Sequence, residues 1–362
     1  MRVPDHRPLL ALPLLLGLAC GDSTVGSATD DATSTTQGGD TTSTSSTSST
    51  SDASASSGEA STSDSSGAST TSATATSTTT DASDSATTST STSTTQGSDA
   101  TTTGGVEITD FGMPGPFAVD TSDGSTPVGD GCQMSYTLYT PAGVDGGPLA
   151  VVAHGFTQSK GNMAQIAARI ASHGVRTVAV DLCHASIIDT DHPQNGVDLT
   201  LLAKALAPGG DVIYVGYSAG GLATFLAAAS DDDTRALLGL DPVDADGLGA
   251  AAAPGVDAPT LALHGEAGSC NNNGDSFGLA KLVPGGWALR TVGGSHCDFQ
   301  QDEGFACGLC GPNHPDVRAL IASLSAAFVA WQAGVDPTGE AWVTIGGERY
   351  LELVADGAIG PL

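Results

Sequence analysis

Apolar and polar positions divide the chain near residue 106: before it lies a long polar tract, after it short apolar runs alternate with stretches of helical period. Residues 134–139 alternate well enough to predict an early edge strand ending at Pro141. Residues 148–153 form a continuous apolar run, as a strand buried on both faces requires. An amphipathic helix is predicted over 163–170, with Gly174 as its stop, and then a strand over 175–180 ending at Asp181. Residues 199–206 read as helical, and Pro208-Gly209-Gly210 closes them. A β-branched run over 212–217 predicts the next strand, and the Ala/Leu-rich residues 222–229 a helix. Strands follow at 236–240, 259–264 and 288–292, the last of the series, before a closing helix over 317–331. The tail beyond Gly334, with Trp342 and Tyr350, is expected to pack as a further element. Strands alternating with helices predict an α/β fold, a mostly parallel central sheet with helices on both faces. Its chemistry belongs at the carboxyl ends of the strands.

Composition changes the picture for the first part of the chain. Residues 22–103 are mostly Ser and Thr and contain no Lys or Arg. Such a tract cannot bury enough apolar surface to offset its ordering entropy, so 21–105 is expected to be a disordered tether and 106–362 a single folded domain. Arg2 and Arg7 precede an apolar run over 9–19 that is too short to span a bilayer and fits a signal peptide over 1–20. It ends in Leu18-Ala19-Cys20-Gly21, which resembles a bacterial lipoprotein processing site with Cys20 as the acylated residue. An exported protein at the cell surface or outer membrane is expected, touching membrane only through that anchor; secretion with cleavage nearby is the alternative. The net charge of -29, with no Lys or Arg between Arg7 and Lys160, excludes nucleic acid as a partner.

Seven cysteines include Cys20; the remaining Cys132, Cys183, Cys270, Cys297, Cys307 and Cys310 are even in number, which favours disulfides in an exported domain. Fifteen connectivities are possible. Cys270 and Cys297 follow two neighbouring strands and are the favoured bridge. Cys307-Gly-Leu-Cys310, with Cys297 and His314 nearby, has the residue types of a zinc or redox site. An oxidising compartment and the lack of a second ligand pair at finger spacing argue against both.

The chemistry centres on Gly216-Tyr217-Ser218-Ala219-Gly220 between the strand at 212–217 and the helix that follows. A serine at such a turn is held on a sharp bend, and only small flanking residues allow the backbones to approach. The helix start aims free N–H groups at the serine, which suits a developing oxyanion. A serine hydroxyl needs an imidazole to take its proton, and the imidazole needs an acid. Of eight histidines, His296 in Gly293-Gly294-Ser295-His296 lies just past the last predicted strand, after both Ser218 and the candidate acids. His154 and His264 each precede a glycine at a strand end and read as structural, His184 as a candidate pocket residue, and His173, His192 and His314 as surface or cap residues. The candidate acid is Asp241 in Gly239-Leu240-Asp241-Pro242-Val243-Asp244, one strand before His264, with Asp244, Asp246 and Glu266 open as rivals.

Together, Gly-Tyr-Ser-Ala-Gly-Gly, Ala-Leu-Leu-Gly-Leu-Asp-Pro-Val-Asp and Gly-Ser-His resemble the chlorophyllase-like branch of the α/β hydrolases, and are similar to platelet-activating-factor acetylhydrolases and polyester hydrolases. The resemblance covers most of 130–330. It implies the α/β-hydrolase fold and a triad of Ser218, His296 and Asp241, with an oxyanion hole made by the backbone N–H groups of Phe156 and Ala219. Two such donors supply about 3 kcal/mol each. It implies no metal or organic cofactor and a small-molecule or polymeric ester as substrate; a monomer is expected. Residues 270–273 and 297–310 look like additions over the pocket. Two alternatives share these residues: amide or peptide hydrolysis by the same triad, and an inactive hydrolase fold serving as a surface binding module.

Overall fold

Continuous apolar runs with both faces covered build the centre of the sheet in this computed structural model, which describes residues 107–301 and 307–362. These belong to one compact unit, residues 94–362. The expected signal peptide, Cys20 and the whole of the expected tether lie outside the described residues.

Two long strands open the unit, β1 (Val119–Pro127) and β2 (Gln133–Pro141), paired antiparallel along their length. Then come β3 (Leu149–Ala153), α1 (Ala164–Ser172) and β4 (Arg176–Val180). A separate two-stranded hairpin, β5 (Ala185–Ser186) and β6 (Asp189–Thr190), precedes α2 (His192–Leu206). The core continues with β7 (Val212–Tyr217), α3 (Ala219–Ala228), β8 (Thr234–Leu240), α4 (Leu248–Ala252), β9 (Thr260–His264) and β10 (Trp287–Thr291). It closes with α5 (Pro315–Gln332), α6 (Glu340–Val343), α7 (Glu348–Ala355) and β11 (Ile359–Pro361).

The nine-stranded sheet runs β1-β2-β4-β3-β7-β8-β9-β10-β11. All neighbours from β4 to β10 are parallel, and the pairs at either end are antiparallel. The expected α/β class with a mostly parallel sheet is what the chain forms. Successive residues of β3 face opposite ways, as the pleat requires. Ala150 and Val152 join a core containing Ile166 and Ile170 of α1 and Leu324 and Phe328 of α5. Leu149 and Val151 join the other, with Leu199 and Leu202 of α2 and Ala223 of α3. From β3 the chain moves through α1 to β4 on one side, then through α2 to β7 on the other. That reversal opens a crevice at the carboxyl ends of β3 and β7, where open α/β sheets bind ligands.

Several expectations need correction. The strand predicted at 134–139 is not at the edge, because β1 lies outside it. β1 is rich in Asp, Ser, Thr and Gly and mostly exposed, so its strand character comes from pairing with β2 and not from a pattern of its own. Nor is the strand at 288–292 the last: β11 adds three residues beside β10, with Ile359 buried. The helix predicted from 199 starts at His192, where Asp191 accepts from the Gln194 N–H and Pro193 occupies the first turn. The tail packs as expected, with Trp342 and Tyr350 buried on α6 and α7.

Disulfides join Cys132 to Cys183, Cys270 to Cys310 and Cys297 to Cys307. The expected Cys270–Cys297 bridge does not form. The chain returning toward α5 presents Cys307 to Cys297 and Cys310 to Cys270, so nearness of the strands before the cysteines does not decide the pairing. Cys307 and Cys310, bonded to different partners, are neither a redox pair nor thiolate ligands. These bonds mark the folded unit as one that matures in an oxidising environment. No helix among the described residues is long and apolar enough to cross a membrane.

Candidate active site

Ser218 sits between the end of β7 and the start of α3 with φ 53° and ψ -120°, a conformation L-residues rarely adopt. Its N–H donates to Leu240 O at 3.1 Å, and its carbonyl accepts from Leu222 and Val243. The bend works only with glycine on both sides. A Cβ on Gly216 would stand 2.3 Å from the Gly220 carbonyl oxygen, and one on Gly220 would stand 2.2 Å from that of His154. The strained turn and the close packing of α3 on the ends of β3 and β7 are one feature.

His296 opens a single 3-10 turn, His296–Phe299, after β10, and Asp241 follows β8. The structure brings these two and Ser218 together. His296 Nε2 is 3.0 Å from Ser218 Oγ, and Nδ1 is 2.6 Å from Asp241 Oδ2. An ionised carboxylate can only accept, so Nδ1 carries the proton and donates it to Asp241, leaving Nε2 free to accept from the serine hydroxyl. The Tyr217 ring lies 4.9 Å from the imidazole, centroid to centroid. Burial raises the Tyr217 phenol well above its ordinary range, so it faces the site as a neutral ring.

Asp241 is fully buried and takes a positive φ of 40°. Burial pushes its pKa up, but hydrogen bonds and charge from His264 and His296 outweigh this and hold it at about 2. Beyond His296, its carboxylate accepts from Gly265 N–H at 3.2 Å and Asn271 Nδ2 at 3.1 Å, and His264 Nδ1 stands 3.5 Å away. The rival acids are engaged elsewhere. Asp244 accepts from Gly249 and Ala250 N–H groups at the start of α4, Asp246 is exposed in a turn, and Glu266 accepts from Gly293 N–H and faces Arg290.

Phe156 follows the end of β3, and Ala219 follows Ser218 at the start of α3. The pairing of Ala153 with Gly216 sets the ends of β3 and β7 side by side, and Phe156, Tyr217, Ser218 and His296 line one cavity of about 210 Å³. Ala219 is the first residue of α3, where an N–H has no partner within the helix. The Phe156 turn is fixed on either side. Gln158 N–H donates to Gly155 O, and Thr157 N–H donates to Ala185 O at 2.7 Å. His154 donates Nδ1–H to Gly155 O at 2.7 Å and accepts Leu182 N–H on Nε2 at 3.0 Å. Burial lowers its pKa and keeps it neutral, which that double role requires. His184 pairs with Asp189.

Asn271 is the site residue that sequence reasoning missed. It stands in Cys270-Asn271-Asn272-Asn273, where positive φ at Asn272 and Asn273 marks a turn, and the run reads as a polar loop. Its amide reaches both Asp241 and the Glu266 carbonyl. Among the described residues no cluster of metal-ligating side chains is present. No protein-family model matches the chain, and no curated protein matches it significantly.

Proposed function

We propose that this chain is an exported serine hydrolase of the α/β-hydrolase type that cleaves carboxylic esters. The observation that carries the reading is the unbroken hydrogen-bond chain from Asp241 through His296 to Ser218, at 2.6 and 3.0 Å. Two features support it: a strained serine on a strand-to-helix turn, and the chain order serine, acid, histidine, both typical of these enzymes. The resemblance to the chlorophyllase-like branch agrees with them.

Ser218 Oγ attacks the ester carbonyl while His296 Nε2 takes its proton. Asp241, ionised and held by several donors, stabilises the imidazolium and fixes its tautomer. The N–H groups of Phe156 and Ala219 receive the oxyanion, Ala219 with the positive end of α3 behind it. His296 then returns the proton to the leaving alkoxide, so the alcohol departs and the acyl group stays on Ser218. A water, deprotonated by His296, releases the acid and restores the serine. These side chains supply every proton transfer, so the mechanism calls on no metal or organic cofactor. The three disulfides fit an exported enzyme, and acylation of Cys20 would tether it to a membrane.

The test is a matched panel of dissolved p-nitrophenyl esters and p-nitroanilides. Ester hydrolysis is expected, lost by a factor of about 10⁴ or more in Ser218→Ala. Preferential anilide cleavage, or ester hydrolysis that survives in Ser218→Ala, would contradict the reading.

A further inference from the structure

Large apolar side chains exposed to water are scattered over most of this surface, but the three most exposed among the described residues are not. Ile188 is 96% exposed, Ile187 73% and Leu309 72%. All three stand on loops that border the cavity holding Ser218. Ile187 and Ile188 form the tip of the β5–β6 hairpin, which is anchored to the cavity wall by the hydrogen bond from Thr157 N–H to Ala185 O. Leu309 lies in the turn Cys307–Leu309, between two cysteines that line the cavity and are disulfide-bonded beside His296. Phe156, in the cavity wall itself, is 39% exposed. Phe156 thus lies in the site, and the three more exposed apolar side chains stand on loops tied to its wall.

Charge decides what such a rim fits. The chain has no Lys or Arg from 181 to 203 or from 291 to 317, the segments that carry the hairpin and the disulfide-bonded strap. Lys160, the basic residue nearest the Phe156 turn in sequence, is paired with Asp181. In a chain of net charge -29, these segments offer an anionic surface no lysine or arginine. Apolar patches of this kind mark interaction sites, and burying each isoleucine or leucine is favourable in proportion to the area it removes from water.

We propose that Ile187, Ile188 and Leu309 dock the mouth of the site onto an uncharged, water-insoluble ester presented as a droplet. The proposal rests on the esterase reading and extends it to the physical form of the substrate. Docking drives these side chains into the droplet surface and sets the mouth against the ester groups that Ser218 attacks. The chemistry at the serine is unchanged.

The test uses the full chain carrying Cys20→Ser, so that no acyl group contributes, and Ser218→Ala, so that nothing is hydrolysed. Flotation with tributyrin droplets is compared with sedimentation with phosphatidylglycerol vesicles. Parent protein is expected on the droplets and not on the vesicles, and a triple variant Ile187→Ser, Ile188→Ser, Leu309→Ser is expected to partition about tenfold less. Ile345→Ser, an exposed apolar position between α6 and α7, is the control and should behave as the parent. Equal partition of parent and triple variant, an equal loss in Ile345→Ser, or preference for the anionic vesicles would overturn the proposal. With Ser218 restored, the rate should climb as tributyrin passes its solubility limit, and the triple variant should lose that climb while keeping its rate on dissolved p-nitrophenyl butyrate. Absence of hydrolysis of the dissolved ester by the wild type would sink the esterase reading instead, and flotation of the inactive chain decides the docking separately.

Discussion

Asp241 holds more partners than a carboxylate needs to orient one imidazole. His296, His264, Asn271 and the Gly265 N–H surround it where no water reaches. Its pKa of about 2 lies below the ordinary carboxylate value, so the ionised form is favoured by folding. The resulting stability is present above about pH 4 and is lost as pH falls toward 2, and it amounts to about 2 kcal/mol. Urea unfolding of wild type and Asp241→Asn across that window checks this. The wild type should lose about 2 kcal/mol more than the variant, and parallel curves would contradict it. Activity should fall about 10⁴-fold in Asp241→Asn, because an amide no longer fixes the imidazole tautomer. Ser218 and His296 were legible in the sequence because their glycine-rich neighbours and places after strands are local signals. Asn271 was not: its role depends on meeting Asp241, which is remote in sequence, and its own neighbourhood spells a turn.

At the scale of elements, the two disulfides whose cysteines line the cavity differ from the one whose cysteines do not. Cys132–Cys183 closes a loop with a sequence separation of 51, and Cys297–Cys307 one of 10. Chain entropy assigns about 4 kcal/mol to the longer and about 3 to the shorter. The shorter, however, lines the cavity with Ser218. Paired Cys→Ser variants should therefore separate stability from activity. Loss of Cys132–Cys183 should lower the unfolding midpoint more, and loss of Cys297–Cys307 should lower kcat/KM more. The reverse order in either measurement would contradict this division. Central strands were legible because burial on both faces leaves continuous apolar runs. β1 and β11 were not, since an edge strand needs only a partner's backbone, and the cysteine pairing depended on how residues after Phe299 fold back.

On the scale of the whole molecule, the fold is a device for bringing three strand ends to one point. The reversal of strand order around β3 opens the crevice, β7 delivers Ser218, β8 delivers Asp241, and the turn after β10 delivers His296. The same carboxyl-end surface carries the apolar hairpin tip and the disulfide-bonded strap, so substrate form and chemistry would be read on one face. The acidic composition by itself argues against a nucleic-acid partner, but the nature of the ester depends on loops whose shape no local pattern announces. The central claim is that Ser218 is activated. The measurement that tests it most directly is labelling of the purified full-length protein with a fluorophosphonate probe beside Ser218→Ala. Wild type should label and the variant should not; a folded wild type that does not label, or a variant that labels equally, would contradict the account.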